Sequence, residues 1–312
     1  ESISWSFEFL TKVLNIPVEK LAVTCFAGDE DASKDEESAE IWKSVGIPEN
    51  RIFFLGKRDN WWGPVGSSGP CGPDTEIFYW TGDGEPENLN SAEGSSNWVE
   101  IWNNVFMQYE KTSDGKFIPL KQKNVDTGMG VERTTAVLNN KKSVYETDAF
   151  LDIYKKVSEL SSSDDEISKR IICDHVRAST FLLGDQRCIT PSNVDQGYVL
   201  RKLIRRAIRK AKKIGINNPF LVSLSKIIID QYSNDYSELK ENQNFIEKYL
   251  GLEEERFFKI LNEGQVESFK EIEKITDVNE KINISGIEVL KVAKISFDLY
   301  QSHGYPMEMF IE

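Results

Sequence analysis

The chain has 312 residues, 39% hydrophobic and 11% aromatic with seven tryptophans, and a formal net charge of −13. That length exceeds most single cores, so two domains are expected, and the apolar content excludes a disordered chain. No apolar run approaches the roughly 18–20 residues of a membrane span, and the net acidity argues against polyanion binding by the surface as a whole.

The opening residues, ESISWSFEFL, carry no basic n-region and no cleavage signature, and position 1 is not Met. The expectation is a chain without a secretory signal that begins inside a longer protein. Residues 4–14 place apolar side chains at helical spacing. Residues 21–26 form a short β-rich run that ends at Gly28. Residues 28–40 hold seven acids and one Lys and lead into a helix through Ala39, Ile41, Trp42 and Val45, stopped by Gly46 and Pro48. Residues 51–55 read as a strand. Residues 61–75, WWGPVGSSGPCGPDT, read as a long glycine- and proline-rich loop, a length usually kept for function. Residues 76–80 are a strand and residues 82–96 a polar loop. Residues 98–109 read as a long strand with Glu100, Trp102 and Asn104 on one face and Asn103 on the other. A turn at 113–115 returns the chain into 117–120 as a hairpin. Strands joined by hairpins predict an antiparallel sheet in an α+β domain over residues 1–160.

Next comes the run GMGVER, residues 128–133, after Asp126-Thr127. Gly128 and Gly130 permit backbone conformations that a Cβ hinders and let a ligand approach closely. Glu132 suits the first turn of a helix. Arg133 projects from that turn as a permanent planar cation, suited to phosphate or to stacking on a base. The run reads either as a nucleotide platform or as a glycine-capped turn before an ordinary helix.

Beyond residue 143 helical periodicity takes over, at 148–160, 166–184, 195–213, 219–232, 236–262, 264–275 and 286–300. The polar break at 161–165 marks a second, all-helical domain over 161–312. Residues 196–229 hold nine Lys or Arg and no acid. Within them Leu200, Leu203, Ile204, Ala207, Ile208 and Ala211 make an apolar stripe. Arg201, Arg205, Arg209 and Lys212 make one basic row; Lys202, Arg206, Lys210 and Lys213 make another. Like charges at i,i+4 repel, so this helix answers to a polyanion, most simply nucleic-acid phosphate, or to acids elsewhere in the fold. Cys25, Cys71, Cys173 and Cys188 include no CxxC pair, and His175 and His303 are the two imidazoles. The expectation is reduced thiols in a cytoplasmic protein with no zinc site.

Taken together, these segments resemble one family. Asp126-Thr127-Gly128-Met129-Gly130-Val131-Glu132-Arg133 is similar to motif 3 of class II aminoacyl-tRNA synthetases, in the form found in the alanyl-tRNA synthetases. Residues 100–108, EIWNNVFMQ, resemble the strand lining the alanine pocket there, and residues 69–77, GPCGPDTEI, the loop and strand over the active site. Residues 174–178, 191–193 and 197–206 resemble the family's tRNA-recognition helices.

The resemblance implies an antiparallel class II sheet followed by a helical tRNA-recognition domain. It implies activation of alanine by ATP with Mg²⁺, giving alanyl-adenylate and pyrophosphate, and transfer of the alanyl group to the 3′ end of alanine tRNA. Asp126 suits the alanine ammonium, with Trp102, Asn104 and Gly128 around the pocket; Trp102 is equally read as core. ATP falls to Gly128, Gly130, Glu132, Arg133 and Glu76, with Arg133 and Asp126 carrying the chemistry and Glu100 as a Mg²⁺ ligand. tRNA falls to Asn193, Arg201, Lys202, Arg205, Arg206, Arg209 and Gln301. Asn193 matches one reader of the acceptor-stem G·U wobble pair; the other is usually Asp, and here Gln301 stands in its place. The family's motif 1 and arginine-bearing motif 2 are expected upstream of Glu1 and its editing domain beyond Glu312, so the 312 residues alone are expected to activate alanine weakly or not at all. A non-catalytic RNA-binding module of the same fold is the alternative.

Overall fold

A computed structural model describes residues 1–89, 97–273 and 294. The chain forms two compact units, Glu1–Phe150 and Leu151–Glu312. The division falls before helix α4 (Leu151–Leu160) rather than at residue 160, because α4 packs on the helices that follow it.

In the first unit, α1 (Ser2–Glu8) runs on into a π-helical turn, Phe9–Val13. There follow β1 (Leu21–Phe26), α2 (Glu36–Val45), β2 (Ile52–Leu55), β3 (Trp61–Trp62), β4 (Gly69–Trp80), β5 (Trp98–Lys111), β6 (Phe117–Met129) and α3 (Val131–Leu138). Helix α2 starts where the Asp35 carboxylate accepts from the Ser38 N–H at 3.0 Å, and it ends at Gly46, whose φ of 117° belongs to the left-handed region.

The sheet runs β2-β1-β4-β5-β6, with β3 paired to β4. It is antiparallel except between β1 and β2, which are parallel. The exception has a cause: α2 lies between these strands in sequence and carries the chain back to the same end, the crossover that parallel neighbours need. Strand β4 begins at Gly69, so half of the expected 61–75 loop is sheet. Gly72 is required there, because a Cβ would run into the Phe106 carbonyl oxygen. Strand β6 continues to Met129, well past the expected 117–120. It is an edge strand, where Pro119 removes no ladder bond that the sheet needs.

One face of the sheet is covered by α1 and α2. Its core joins Leu10 and Trp42 to Ile77, Tyr79, Ile101 and Val137, with Trp102, Phe106 and Met129 packed against it. The opposite face holds a smaller cluster of Ala22, Phe78, Trp80, Leu89 and Trp98, and the Trp61 ring packs with those of Phe26, Tyr109 and Phe117.

The regular elements described in the second unit are all helices: α4, α5 (Glu166–Gly184), α6 (Asp195–Lys213), α7 (Leu221–Tyr232), α8 (Ser237–Glu241) and α9 (Gln243–Glu273). The helix expected over 236–262 breaks at Asn242, whose amide donates to the Gly184 carbonyl at 2.9 Å. Glu254, fully buried, accepts from the Phe220 and Leu221 N–H groups and so satisfies the start of α7. The helix expected over 286–300 lies outside the described residues except for residue 294.

Candidate functional site

Strand register builds the site. Asp74, Val105 and Asp126 form one row across β4, β5 and β6, and Glu76, Asn103 and Gly128 form another. Between and beyond them lie the rows Thr75–Asn104–Thr127 and Ile77–Trp102–Met129. Neighbouring residues of a strand point to opposite faces. The open face therefore receives Asp74, Glu76, Asn103, Asp126 and Gly128; the helix-covered face receives Asn104 and Trp102.

The register separates the residues expected around alanine. Trp102 and Asn104 do not stand with Asp126 and Gly128. Trp102 donates its Nε1–H to Thr127 Oγ1 at 2.8 Å and lies 6.0 Å from the Phe9 ring. Asn104 is fully buried, accepts from Ser2 and Thr127 at 2.5 and 2.8 Å, and donates to Ser6. Asn104 anchors α1 to the sheet, and Trp102 packs on the π-helical turn that continues it. Asn103 is the residue of this strand that faces Asp126 and Gly128.

Glu100 escapes the same fate through a β-bulge. Ile77 pairs with Trp102 but Phe78 pairs with Glu100, leaving Ile101 as the extra residue. Ile101 and Trp102 both pack against the helix-covered core, and Glu100 is returned to the open face. There its Oε2 meets Arg133 Nη1 at 2.6 Å, and the same nitrogen donates to the Glu100 carbonyl at 3.2 Å.

Arg133 sits in the first turn of α3, its side chain about half exposed. Gly130 is the N-cap with φ −71° and ψ 99°, an ordinary extended conformation, and Gly128 has no positive φ either. The two glycines thus supply space rather than unusual backbone. A Cβ at Gly128 would meet nothing within 4 Å, and one at Gly130 would press on the Arg133 side chain. Glu132 is half-buried in the same turn.

The open face is rich in acceptors. Burial first, and then the Glu100 charge, push the Asp74 carboxyl up to about 7 against hydrogen bonds from Asn60 and Asn103. Burial, Asp74 and Glu100 push Glu76 up to about 8, so at neutral pH it is mostly a protonated donor. Asn60 Oδ1, Glu76 Oε2 and Asn103 Oδ1 are buried and have no hydrogen-bond partner among the described residues.

A resident Mg²⁺ at Glu100 does not fit. The Glu100 carboxylate is engaged by Arg133, Glu76 is mostly neutral, and no group of three or more His, Cys, Asp or Glu able to hold a metal occurs among the described residues.

On α6 the apolar stripe is buried at Leu200, Ile204, Ala207, Ile208 and Ala211 and half-buried at Leu203. The cations divide. Arg205 Nε meets Glu253 Oε1 at 2.6 Å, with Glu253 almost wholly buried, and its guanidinium lies over the Phe257 ring. Lys213 pairs with Asp165 at 3.2 Å. Arg209, Lys210 and Lys212 have contacts of their own. Lys202 and Arg206 are exposed, and Arg201 donates to the side chain of exposed Asn193. Tyr198, also exposed, lies within cation–π range of Arg201 and Lys202. Gln301 lies outside the described residues. Sequence reasoning missed Asn60 and Glu253 and gave Asp74 no role of its own; Asp74 lies inside the 61–75 segment and the 69–77 run, and Asn60 directly precedes that segment.

The family model described as tRNA synthetases class II (A) matches residues 1–312. Alanine–tRNA ligase of Treponema denticola is 49% identical over 320 residues, covering 99% of this chain and 52% of that protein. The enzyme of the same name from Treponema pallidum is 46% identical over 99% of this chain and 51% of its own length. The one from Anaeromyxobacter dehalogenans is 39% identical over 99% and 36%. The chain belongs to the class II tRNA synthetases. It spans about half the length of the Treponema relatives it matches.

Proposed function

We propose that this chain is the alanine-activating and acceptor-stem-binding part of an alanine–tRNA ligase. One observation carries the reading: strand register and one bulge gather Asp126, Asn103, Gly128, Glu76, Glu100 and Arg133 on a single face.

Asp126 and the orphaned Asn103 Oδ1 are the acceptors for the alanine ammonium, since a cation leaving water needs a carboxylate or hydrogen-bond acceptors. The uncovered surface at Gly128 admits the adenosine. Arg133 takes an ATP phosphate, offsetting charge in the phosphoryl transition state; Glu100 holds it in place until then. Mg²⁺ enters with ATP as part of the substrate. The alanine carboxylate attacks the α-phosphate, pyrophosphate leaves, and a terminal ribose hydroxyl of tRNA then takes the alanyl group. In the helical unit, exposed Lys202 and Arg206 meet acceptor-stem phosphate, and Asn193 reads the G·U pair with Gln301 as its second contact.

Alanine-dependent ATP–pyrophosphate exchange by the natural protein tests this. Arg133→Ala and Asp126→Ala are each expected to lower kcat/KM by about a hundredfold or more, the scale of losing a charge-assisted transition-state contact. Exchange unaltered in either variant overturns that residue's role. A preference for the G·U stem over a G·C stem that survives Asn193→Ala overturns the assignment of Asn193.

A further inference from the structure

Beside Asn103 lie three buried polar side chains, Thr24, Asn60 and Asp74, that the scheme above does not use. Asn60, in the turn before β3, is fully buried; its Nδ2 donates to Thr24 Oγ1 at 2.7 Å and to Asp74 Oδ1 at 3.0 Å. The Asp74 N–H returns a bond to the Asn60 carbonyl at 3.3 Å. Asp74 is only 3% exposed, and Asn103, diagonal to it on β5, is the second side chain that favours its ionised form. An ionised carboxylate only accepts, so the Asn103 amide must present its NH₂ to Asp74. Its Oδ1 is left buried and unpartnered. Asp126 lies diagonally across the strand pair from Asn103 on the same face, a separation of about 7–8 Å that one ammonium group bridges.

We infer that Asp74, strapped by Asn60, is a positioning residue that fixes the amide polarity of Asn103 so that its carbonyl oxygen, and not its NH₂, faces the amino-acid ammonium. This rests on the function proposed above. A protonated Asp74 can donate instead, and the amide is then free to turn over. The other titratable groups around Asp74 are Glu76 on its own strand, Glu100 on β5 and the Cys25 thiol on β1. Asp59 bears on Glu76, and Arg133 is held by Glu100.

Asp74→Asn tests the idea, because it keeps the shape and removes the obligate acceptor. In pyrophosphate exchange the alanine KM is expected to rise about tenfold or more, the cost of a misdirected bond to a charged group, with the ATP KM unchanged. In the wild type the alanine KM is expected to fall as pH rises through about 7, and in Asp74→Asn that dependence disappears. Asn60→Ser should shift the alanine KM the same way, less strongly. Alanine and ATP KM values rising together, or an alanine KM untouched in folded Asp74→Asn, overturn the inference. A second measurement needs no turnover. With asparagine ¹⁵N-labelled, the Asn103 side-chain amide signals should titrate near neutral pH in the wild type and not in Asp74→Asn; signals that do not titrate in the wild type refute the positioning role. A wild-type protein with no alanine-dependent exchange but a titrating Asn103 amide would instead sink the proposed function and leave the positioning of the amide standing.

Discussion

Two buried carboxyls set the pH behaviour of the sheet. Asp74 is raised to about 7 and Glu76 to about 8, far above unfolded values near 4. Between those limits the folded state binds more protons than the unfolded state, so unfolding free energy falls as pH rises through the window. At about pH 5 both groups are protonated in the native state and their burial costs little; by about pH 8 it costs on the order of a few kcal/mol. Glu76→Gln and Asp74→Asn are therefore expected to unfold at higher urea concentration than the wild type at about pH 8 and at a similar concentration at about pH 5. Equal midpoints at both pH values would show that the carboxyls carry no such shift. Asp74→Asn thus gains stability while losing alanine affinity, which separates positioning from damage to the fold. Among the residues proposed for the site, Asp126, Gly128 and Arg133 were legible in the sequence because they lie in one contiguous run. Asn103 and Asp74 were not, because their relation is set by register between strands. Alternation alone grouped Glu100 with Trp102; the extra residue at Ile101 parts them, and a bulge leaves no mark in the pattern of apolar residues.

Elements fared better than faces. The strand at 21–26 and the helices at 166–184 and 195–213 were read at the observed bounds, since the apolar period carries to their ends and Asp165 caps the first of the two helices. The 61–75 segment misled because Gly and Pro signal loops, whereas here Gly72 is a strand residue chosen for closeness to Phe106. Gly72→Ala should destabilise the first unit by about 1–3 kcal/mol as neighbouring backbone is forced apart, measured by chemical unfolding; a neutral result would mean that β4 and β5 can separate freely. On α6 one stripe of charge serves two ends. Arg205→Ala leaves Glu253 buried without its close partner, with Arg256 remaining at 3.6 Å. The expected loss is up to about 3–5 kcal/mol of helical-unit stability, as for other broken buried pairs. Lys202→Ala and Arg206→Ala remove exposed charges and should leave the unfolding midpoint within about 0.5 kcal/mol. If all three variants unfold alike, the division of these cations into structural and binding ones is wrong.

At the scale of the molecule, a net charge of −13 makes α6 a local exception, and that locality has a consequence for the two readings of the chain. An acidic protein repels a polyanion except where cations are concentrated, so affinity for an acceptor stem must be steeply salt-dependent yet owed to few residues. Each exposed cation that meets phosphate lowers the slope of log K against log salt by about 0.9 when removed, so Lys202→Ala with Arg206→Ala should reduce it by nearly 2 units. On the proposed function the chemistry of activation belongs to the other unit, on the sheet. Ligase and binder therefore part in a paired experiment on the natural protein. In a ligase, Arg133→Ala abolishes alanine-dependent pyrophosphate exchange and leaves stem affinity and its salt slope intact. The double α6 variant does the reverse: it weakens the stem and slows transfer to tRNA while exchange proceeds. A binder that retains only the fold shows the second effect and has no exchange for Arg133→Ala to remove. If the double variant leaves the salt slope where it was, the nucleic acid meets the chain elsewhere, and α6 is basic for the sake of its intramolecular acids, as Arg205 and Lys213 already are.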